Sequence, residues 1–389
     1  GGQYVNHDML VAAFIASTIW CFALSLLHGE RPHATLARAG FAFGALGLLT
    51  KGLIGVALPG LVLLAWISWT RQWRKVLRLP WVSGLLLFAL LALPWFVLAG
   101  ERYPGLWNYL FGVQQFGRYT GTTFNNRHGE WFYPVVLAVM LLPWTFFIPF
   151  SAPARNQTVP NAFMPIAGPV RSLCWIWLLA ILLFFSIPAS KLTGYILPVL
   201  PPLALLAALG WERVMPGRRH AERWFALLAL VPVGGVLVLT ITVGLNHRML
   251  SIDVAATLAA ERKPGEPVYA CGGYPYDLPF TARLRQPIIV VQDWPGLRAS
   301  ASDNWQRELF EAGDFEPDTA RAILQRPGRL KTAAQHGGVW LVTPARASAP
   351  PGWKKVQQGE SWSLYASGAK GPVAAENEGL PRCYGHGEE

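Results

Sequence analysis

Eight apolar segments fill the first 245 residues of the chain, at 8–27, 37–50, 52–69, 81–99, 131–150, 173–188, 194–211 and 224–245, and they limit what it can fold into. A bilayer offers no water to backbone amides, so a crossing segment must close its own hydrogen bonds, which a helix of about 20 apolar residues does. The expected fold is a mostly α, polytopic membrane protein. Of the 389 residues only 14% are charged, well below the quarter or so typical of soluble domains. Ordinary globular composition returns near Asn246. Two domains are therefore expected, a membrane-embedded region over 1–245 and a soluble α/β domain over 246–389.

Lysine and arginine in the short loops set the orientation, because cytoplasmic loops carry the excess. One set of loops holds Arg31, Arg38, Arg71, Arg74, Lys75, Arg78, Arg155, Arg171, Arg213, Arg218, Arg219 and Arg223. The alternate set holds Lys51, Arg102, Arg118, Arg127 and Lys191. Twelve against five places the first set inside, so the chain starts and ends outside and delivers residues 246–389 to the far side, the periplasm of a Gram-negative cell. The formal net charge of +11 follows largely from these loops, which removes the case for nucleic acid. No charged leader with a cleavage site opens the sequence, and there is no initiator Met. The chain reads as the later part of a longer protein.

Orientation leaves the outer basic residues without a cause. Arg118, Arg127 and His128 lie in the polar and aromatic stretch 101–133, ERYPGLWNYLFGVQQFGRYTGTTFNNRHGEWFY. Guanidinium groups beside aromatic rings at a membrane surface suit a lipid with a phosphate head. Lys51 sits in LLTKGLIG, where two segments meet at a tight turn or broken helix, and Lys191 and Tyr195 sit in SKLTGY between Pro188 and Pro198. Broken helices at a membrane surface can hold an anion; snorkelling of Lys191 and an aromatic-belt place for Tyr195 are the plain alternative. Asp8 opens the first segment, where capping is the default for an acid and catalysis the minority reading. His128 is open between base, phosphate donor and interfacial polar residue.

In the soluble part, strands are expected at 267–270, 287–291, 339–342 and 361–365, and helices at 277–284, 318–325 and 329–335. It carries no glycine-rich phosphate fingerprint, metal-ligand spacing or nucleophile elbow, and its expected role is acceptor docking or packing. Cys21 and Cys174 fall in apolar segments as packing residues. Cys271 and Cys383 either form one disulfide, if their compartment is oxidising, or remain free thiols.

Four runs, LLTKGLIGVALPG, LPWFVLAGERYPGLWNYL, RHGEWFYPVVLAVMLLPWTFF and SKLTGYILPVLPPLALLAA, resemble the bacterial branch of the dolichyl-phosphate-mannose protein mannosyltransferase family, which includes the lipid A aminoarabinose transferases. The resemblance covers about the first 215 residues and extends loosely to the tail. It implies the GT-C architecture and an inverting transfer of a monosaccharide from a polyprenyl-phosphate donor, on the periplasmic side of the bacterial inner membrane, to lipid A, a protein or another envelope glycan. No cofactor is implied beyond that donor, and a divalent metal is left open. Carried over by position, the resemblance places the donor phosphate at Lys51, Arg127, His128, Lys191 and Tyr195, with Arg118 a looser match, and puts Asp8 near the active cavity; Asp8 and His128 are the candidate catalytic residues. The acid that the family carries in its first external loop would precede Gly1, so the catalytic base is expected outside this chain. An O-antigen ligase or polymerase and a flippase of lipid-linked sugar are the competing readings. A flippase favours paired repeats and polar groups at mid-bilayer, whereas the charges here crowd one face.

Overall fold

The computed structural model describes residues 7–117, 127–152, 168–215, 217–245, 250–300, 304–347 and 350–368. Contacts divide the chain into two compact units, Gly1–Val236 and Leu237–Glu389. The division falls inside the last long helix, most of whose side chains are exposed.

The first unit is a helical bundle. Helices α1 (Asp8–Leu27), α2 (Ala34–Lys51) and α3 (Ile54–Thr70) are followed by a one-turn α4 (Trp73–Val76), α5 (Trp81–Arg102) and a π-helical stretch over Asn108–Gly117. Then come α6 (Phe132–Met140), a 3-10 helix over Trp144–Ser151 and α7 (Gly168–Ser186). A second 3-10 helix, Thr193–Val199, runs into α8 (Leu200–Val214), and α9 (Ala221–Leu245) closes the series. Among the described residues five stretches are long and apolar enough to cross a bilayer: α1, α5, α7, Thr193–Val214 and α9.

The expected segment 131–150 is corrected. It is two short helices, α6 and the 3-10 helix, bent by 110° at the break between them. Pro143 stands in that break; proline has no N–H to bond backward and disfavours helix in the residue before it. Segments 37–50 and 52–69 become α2 and α3, of 18 and 17 residues, both below the length of a full crossing helix.

The long helices here are apolar around most of their circumference, so periodicity does not choose the packed face. Close approach does. A stripe of Val11, Ile15, Ile19, Ala23 and Leu26 on α1 packs into one core with Leu58, Val62 and Trp66 of α3 and Trp177 and Ile181 of α7. The Trp66 indole donates to the Pro169 carbonyl at 2.8 Å. Helices α2 and α3 fold back on each other because Gly47 meets Gly55: a β-carbon on Gly47 would lie 3.0 Å from the Gly55 carbonyl oxygen, and one on Gly55 would collide with the Gly47 backbone. Lys75 of α4 caps the other end of the bundle, donating to the carbonyls of Leu26 and Gly29 at 2.8 Å each.

The second unit holds a six-stranded sheet in the order β3-β2-β1-β4-β6-β5. Strands β1 (Val268–Cys271), β2 (Ile289–Val291), β3 (Leu324–Gln325) and β4 (Trp340–Pro344) are parallel, while β5 (Trp353–Gln358) and β6 (Trp362–Ser367) pair antiparallel at one edge. Side-chain alternation feeds two cores. Val268, Ala270 and Val342 pack with Val254 and Leu258 of α10 (Ile252–Glu261), whereas Tyr269, Cys271 and Leu341 pack with Leu330 and Ala333 of a later helix, Arg329–Ala334. The expectation of strands at 267–270, 287–291, 339–342 and 361–365 meets β1, β2, β4 and β6. β5 was not expected, since WKKVQQ puts two lysines in an edge strand, where charge blunts aggregation and hides the apolar alternation. The helix expected over 318–325 is α-helical over Pro317–Ile323 and ends in β3. The other helices of this unit include α11 (Leu278–Thr281), α12 (Trp294–Ser300) and α13 (Trp305–Phe315).

Candidate functional site

The segment 187–195, which runs from the end of α7 through the first turn of the second 3-10 helix, gathers the sequence-predicted residues. Pro188 ends α7, and Pro198, Pro201 and Pro202 hold the next turns in 3-10 and first-turn helical geometry. The backbone between them is left to bond elsewhere.

On one side of this segment stand Asp8, Lys51 and Tyr195. The Lys51 ammonium donates to and forms an ion pair with the Asp8 carboxylate, and lies 4.7 Å above the centre of the Tyr195 ring. Tyr195 in turn stacks on Phe185, ring centres 5.4 Å apart. Both charges suit their helix ends, the acid at the start of α1 and the base in the last turn of α2, because the helix dipole is positive at its N-terminus and negative at its C-terminus. Their exposures differ: the Asp8 side chain is 4% exposed and that of Lys51 30%. The pair is sealed on its acidic side and open on its basic side. Gly194 makes the seal possible, since a β-carbon there would stand 2.8 Å from Asp8 Cγ and closer still to its carboxylate oxygen.

On the other side stand Arg127, His128 and Lys191. Arg127 and Ser190 form an isolated antiparallel bridge, and the His128 amide donates to the Ala189 carbonyl at 3.2 Å. Lys191 is only 3% exposed, and its ammonium donates to the carbonyls of Pro188 at 2.6 Å and His128 at 3.0 Å. It is neither snorkelling to solvent nor extended toward open space. It ties the two segments of the bridge together. The exposed His128 imidazole stacks on Phe132, 4.2 Å between centres with planes 11° apart, and Arg127 is exposed.

Tyr133 couples the two sides. It is fully buried, and its hydroxyl donates to the Leu192 carbonyl at 3.1 Å, between Lys191 and Gly194. Sequence reading placed Tyr133 only at the end of a polar stretch and passed over Gly194 and Ser190. All three lie within or beside the motifs RHGEWFY and SKLTGY, which was the available signal. Of the predicted site residues, Asp8, Lys51 and Tyr195 meet directly, and Arg127, His128 and Lys191 meet directly. Arg118 lies outside the described residues. Among the described residues, no three of His, Cys, Asp and Glu gather into a group able to hold a metal.

A cavity of about 460 Å³ lies elsewhere, between Leu141 and Trp144, the Ala204, Ala207 and Ala208 face of α8, and Phe225, and its lining is mostly apolar, with Glu212 at one wall.

Comparison with known proteins bears out the resemblance read from the four motifs. Residues 1–110 match the model of the dolichyl-phosphate-mannose-protein mannosyltransferase family. The undecaprenyl phosphate-alpha-4-amino-4-deoxy-L-arabinose arabinosyl transferase of Pseudomonas paraeruginosa is 37% identical over 205 residues, 52% of this chain and 36% of that protein. A protein of the same name from Sodalis glossinidius is 31% identical over 243 residues, 59% of this chain and 42% of the relative. This chain thus spans well under half the length of these curated relatives. In fold, it superposes on the crystal structure of ArnT from Cupriavidus metallidurans bound to undecaprenyl phosphate with a TM-score of 0.71 at 22% identity, over 95% of this chain and 76% of that one.

Proposed function

We propose that this chain forms part of an integral-membrane glycosyltransferase that moves a monosaccharide from a polyprenyl-phosphate donor to lipid A, at the periplasmic face of a bacterial inner membrane. The observation that carries the reading is the gathering of Asp8, Lys51 and Tyr195, and of the Arg127–Ser190 bridge, at one segment of a membrane-embedded bundle. The resemblance to transferases named for an undecaprenyl phosphate-linked aminoarabinose supports a donor of that class.

In such a transfer the bond between the anomeric carbon and the phosphate oxygen breaks, and the electron pair leaves with the polyprenyl phosphate. The acceptor oxygen attacks from the opposite face, so configuration inverts. Negative charge grows on the phosphate as the bond breaks, and preorganised cations aimed at it lower the barrier. Lys51 is the cation with an open side, and Arg127 offers a fork of donors that fits two phosphate oxygens. The Tyr195 ring holds the Lys51 ammonium by cation–π attraction, and its hydroxyl supplies a further donor. Asp8 acts as a positioning residue that sets where the Lys51 ammonium lies. Lys191 acts one step back, by holding the segment that presents Arg127 and His128 against residues 188–191. A lipid A phosphate is already ionised as an acceptor and needs no strong base, so His128 serves as a donor to phosphate in this reading.

The test is transfer from a synthetic polyprenyl-phosphate aminosugar to lipid A by the full-length protein in proteoliposomes, read by mass spectrometry. Loss of product in Lys51→Ala and Arg127→Ala, with normal insertion, is the expected result; undiminished product in both refutes the assignment. Product on a protein or envelope glycan in place of lipid A would replace the acceptor half alone. A requirement for a diphosphate-linked oligosaccharide would favour an O-antigen ligase, and donor flipping without transfer a flippase.

A further inference from the structure

Beyond α9, the described residues of the C-terminal unit leave large apolar side chains strongly exposed at one place. Phe280 is 85% exposed and Tyr276 is 64% exposed, and Leu250 and Ile252 beside them are also exposed. The two pairs belong to one surface because Asp277 joins them: its carboxylate accepts the Ser251 amide at 2.7 Å, and α10, starting at Ile252, packs against α11, which carries Phe280. Apolar side chains clustered in this way mark an interaction surface.

We propose that this surface rests on the bilayer, with Phe280, Tyr276, Leu250 and Ile252 inserted among the lipid headgroups. The length of chain selects that occupant. Helix α9 is apolar enough to cross a membrane and ends at Leu245, and five residue steps bring the chain to Leu250. Five steps reach at most about 18 Å even when fully extended, so Leu250 cannot leave the neighbourhood of the membrane surface. Composition agrees with the place. Aromatic rings with a polar edge concentrate at bilayer interfaces, and the exposed Arg283 and Arg285 next to α11 suit the phosphates of the headgroups. The phenol of Tyr276 enters the interface neutral, as any tyrosine does at a pH well below its ordinary pKa of about 10. Phe280 contributes little to the folded core at this exposure, which leaves the surface free to be selected for binding lipid.

The test is spin-label accessibility in the full-length chain reconstituted in phospholipid vesicles. A nitroxide is attached at Phe280→Cys, and for reference at Asp318→Cys, in a background where Cys21 and Cys174 are replaced by alanine. The expected result is a shift at position 280 toward collision with oxygen, which partitions into lipid, and away from a water-soluble nickel chelate, relative to position 318. Equal nickel accessibility at the two positions would overturn the proposal, since the surface would then face water. Protection from both reagents would also overturn it, because the surface would then be covered by protein.

Discussion

Asp8 and Lys51, 43 positions apart in the sequence, form an ion pair that joins the first turn of α1 to the last turn of α2. The pair fixes the level of these two helix ends and points the open side of an ammonium away from a sealed carboxylate.

Removing one partner therefore does two things that can be separated. Lys51→Met abolishes the proposed phosphate contact and leaves a buried carboxylate without its counter-ion, at a cost on the order of 2 kcal/mol once the 30% exposure of Lys51 is allowed for. The double variant Asp8→Asn with Lys51→Met is expected to regain most of the melting temperature and none of the transfer. Recovery of transfer in the double variant would show that Lys51 matters only as a partner for Asp8.

Gly194 is expected to tolerate no side chain. Gly194→Ala drives a methyl group into the Asp8 carboxylate, and overpacking of this kind costs about 1–3 kcal/mol. Thermal unfolding in detergent should show the loss, and Asp8→Ala in the same chain should relieve it. An unchanged melting temperature in Gly194→Ala would mean that the close approach of Asp8 is absent.

Lys191→Met leaves the carbonyls of Pro188 and His128 without a donor, each worth about 1–3 kcal/mol when buried and unpaired. Hydrogen exchange should quicken at the amides of His128 and its neighbours in 188–191, and transfer should fall. A snorkelling lysine would give neither effect, so unchanged exchange would return Lys191 to that role.

Cys271 is disulfide-bonded, whereas Cys21 and Cys174 are free; Cys383, the other member of the expected pair, lies outside the described residues. Non-reducing digestion of the native protein should release one linked peptide pair containing Cys271 and Cys383. A free thiol at Cys271 would contradict both the bond and an oxidising compartment for this unit.

The sequence made the bundle legible because a bilayer imposes one length and one composition on every crossing helix. Segment 8–27 coincides with α1 for that reason. What hydropathy cannot carry is direction, so the 110° bend between α6 and the next 3-10 helix was hidden within an unbroken apolar run, with Pro143 as its one trace. The basic residues of the site could be named from the side of the membrane they occupied. Their partners could not. The sequence presents Lys51 as a phosphate ligand and does not show its pairing with Asp8; it leaves Lys191 between phosphate and water, and the ammonium is bound to two carbonyls, because backbone acceptors leave no mark on a sequence. In the soluble unit, buried strands such as VYAC stood out, while the edge strand WKKVQQ, with two exposed lysines, did not.

The claim on which the functional reading turns is that Lys51 and Arg127 hold the phosphate of the donor lipid. Direct binding of undecaprenyl phosphate to the full-length protein, measured by titration for the wild type, Lys51→Met and Arg127→Met, tests it without relying on catalysis. A charge-assisted hydrogen bond contributes about 1.5–3 kcal/mol, so each variant should bind at least about tenfold more weakly. Wild-type affinity in both variants would contradict the account.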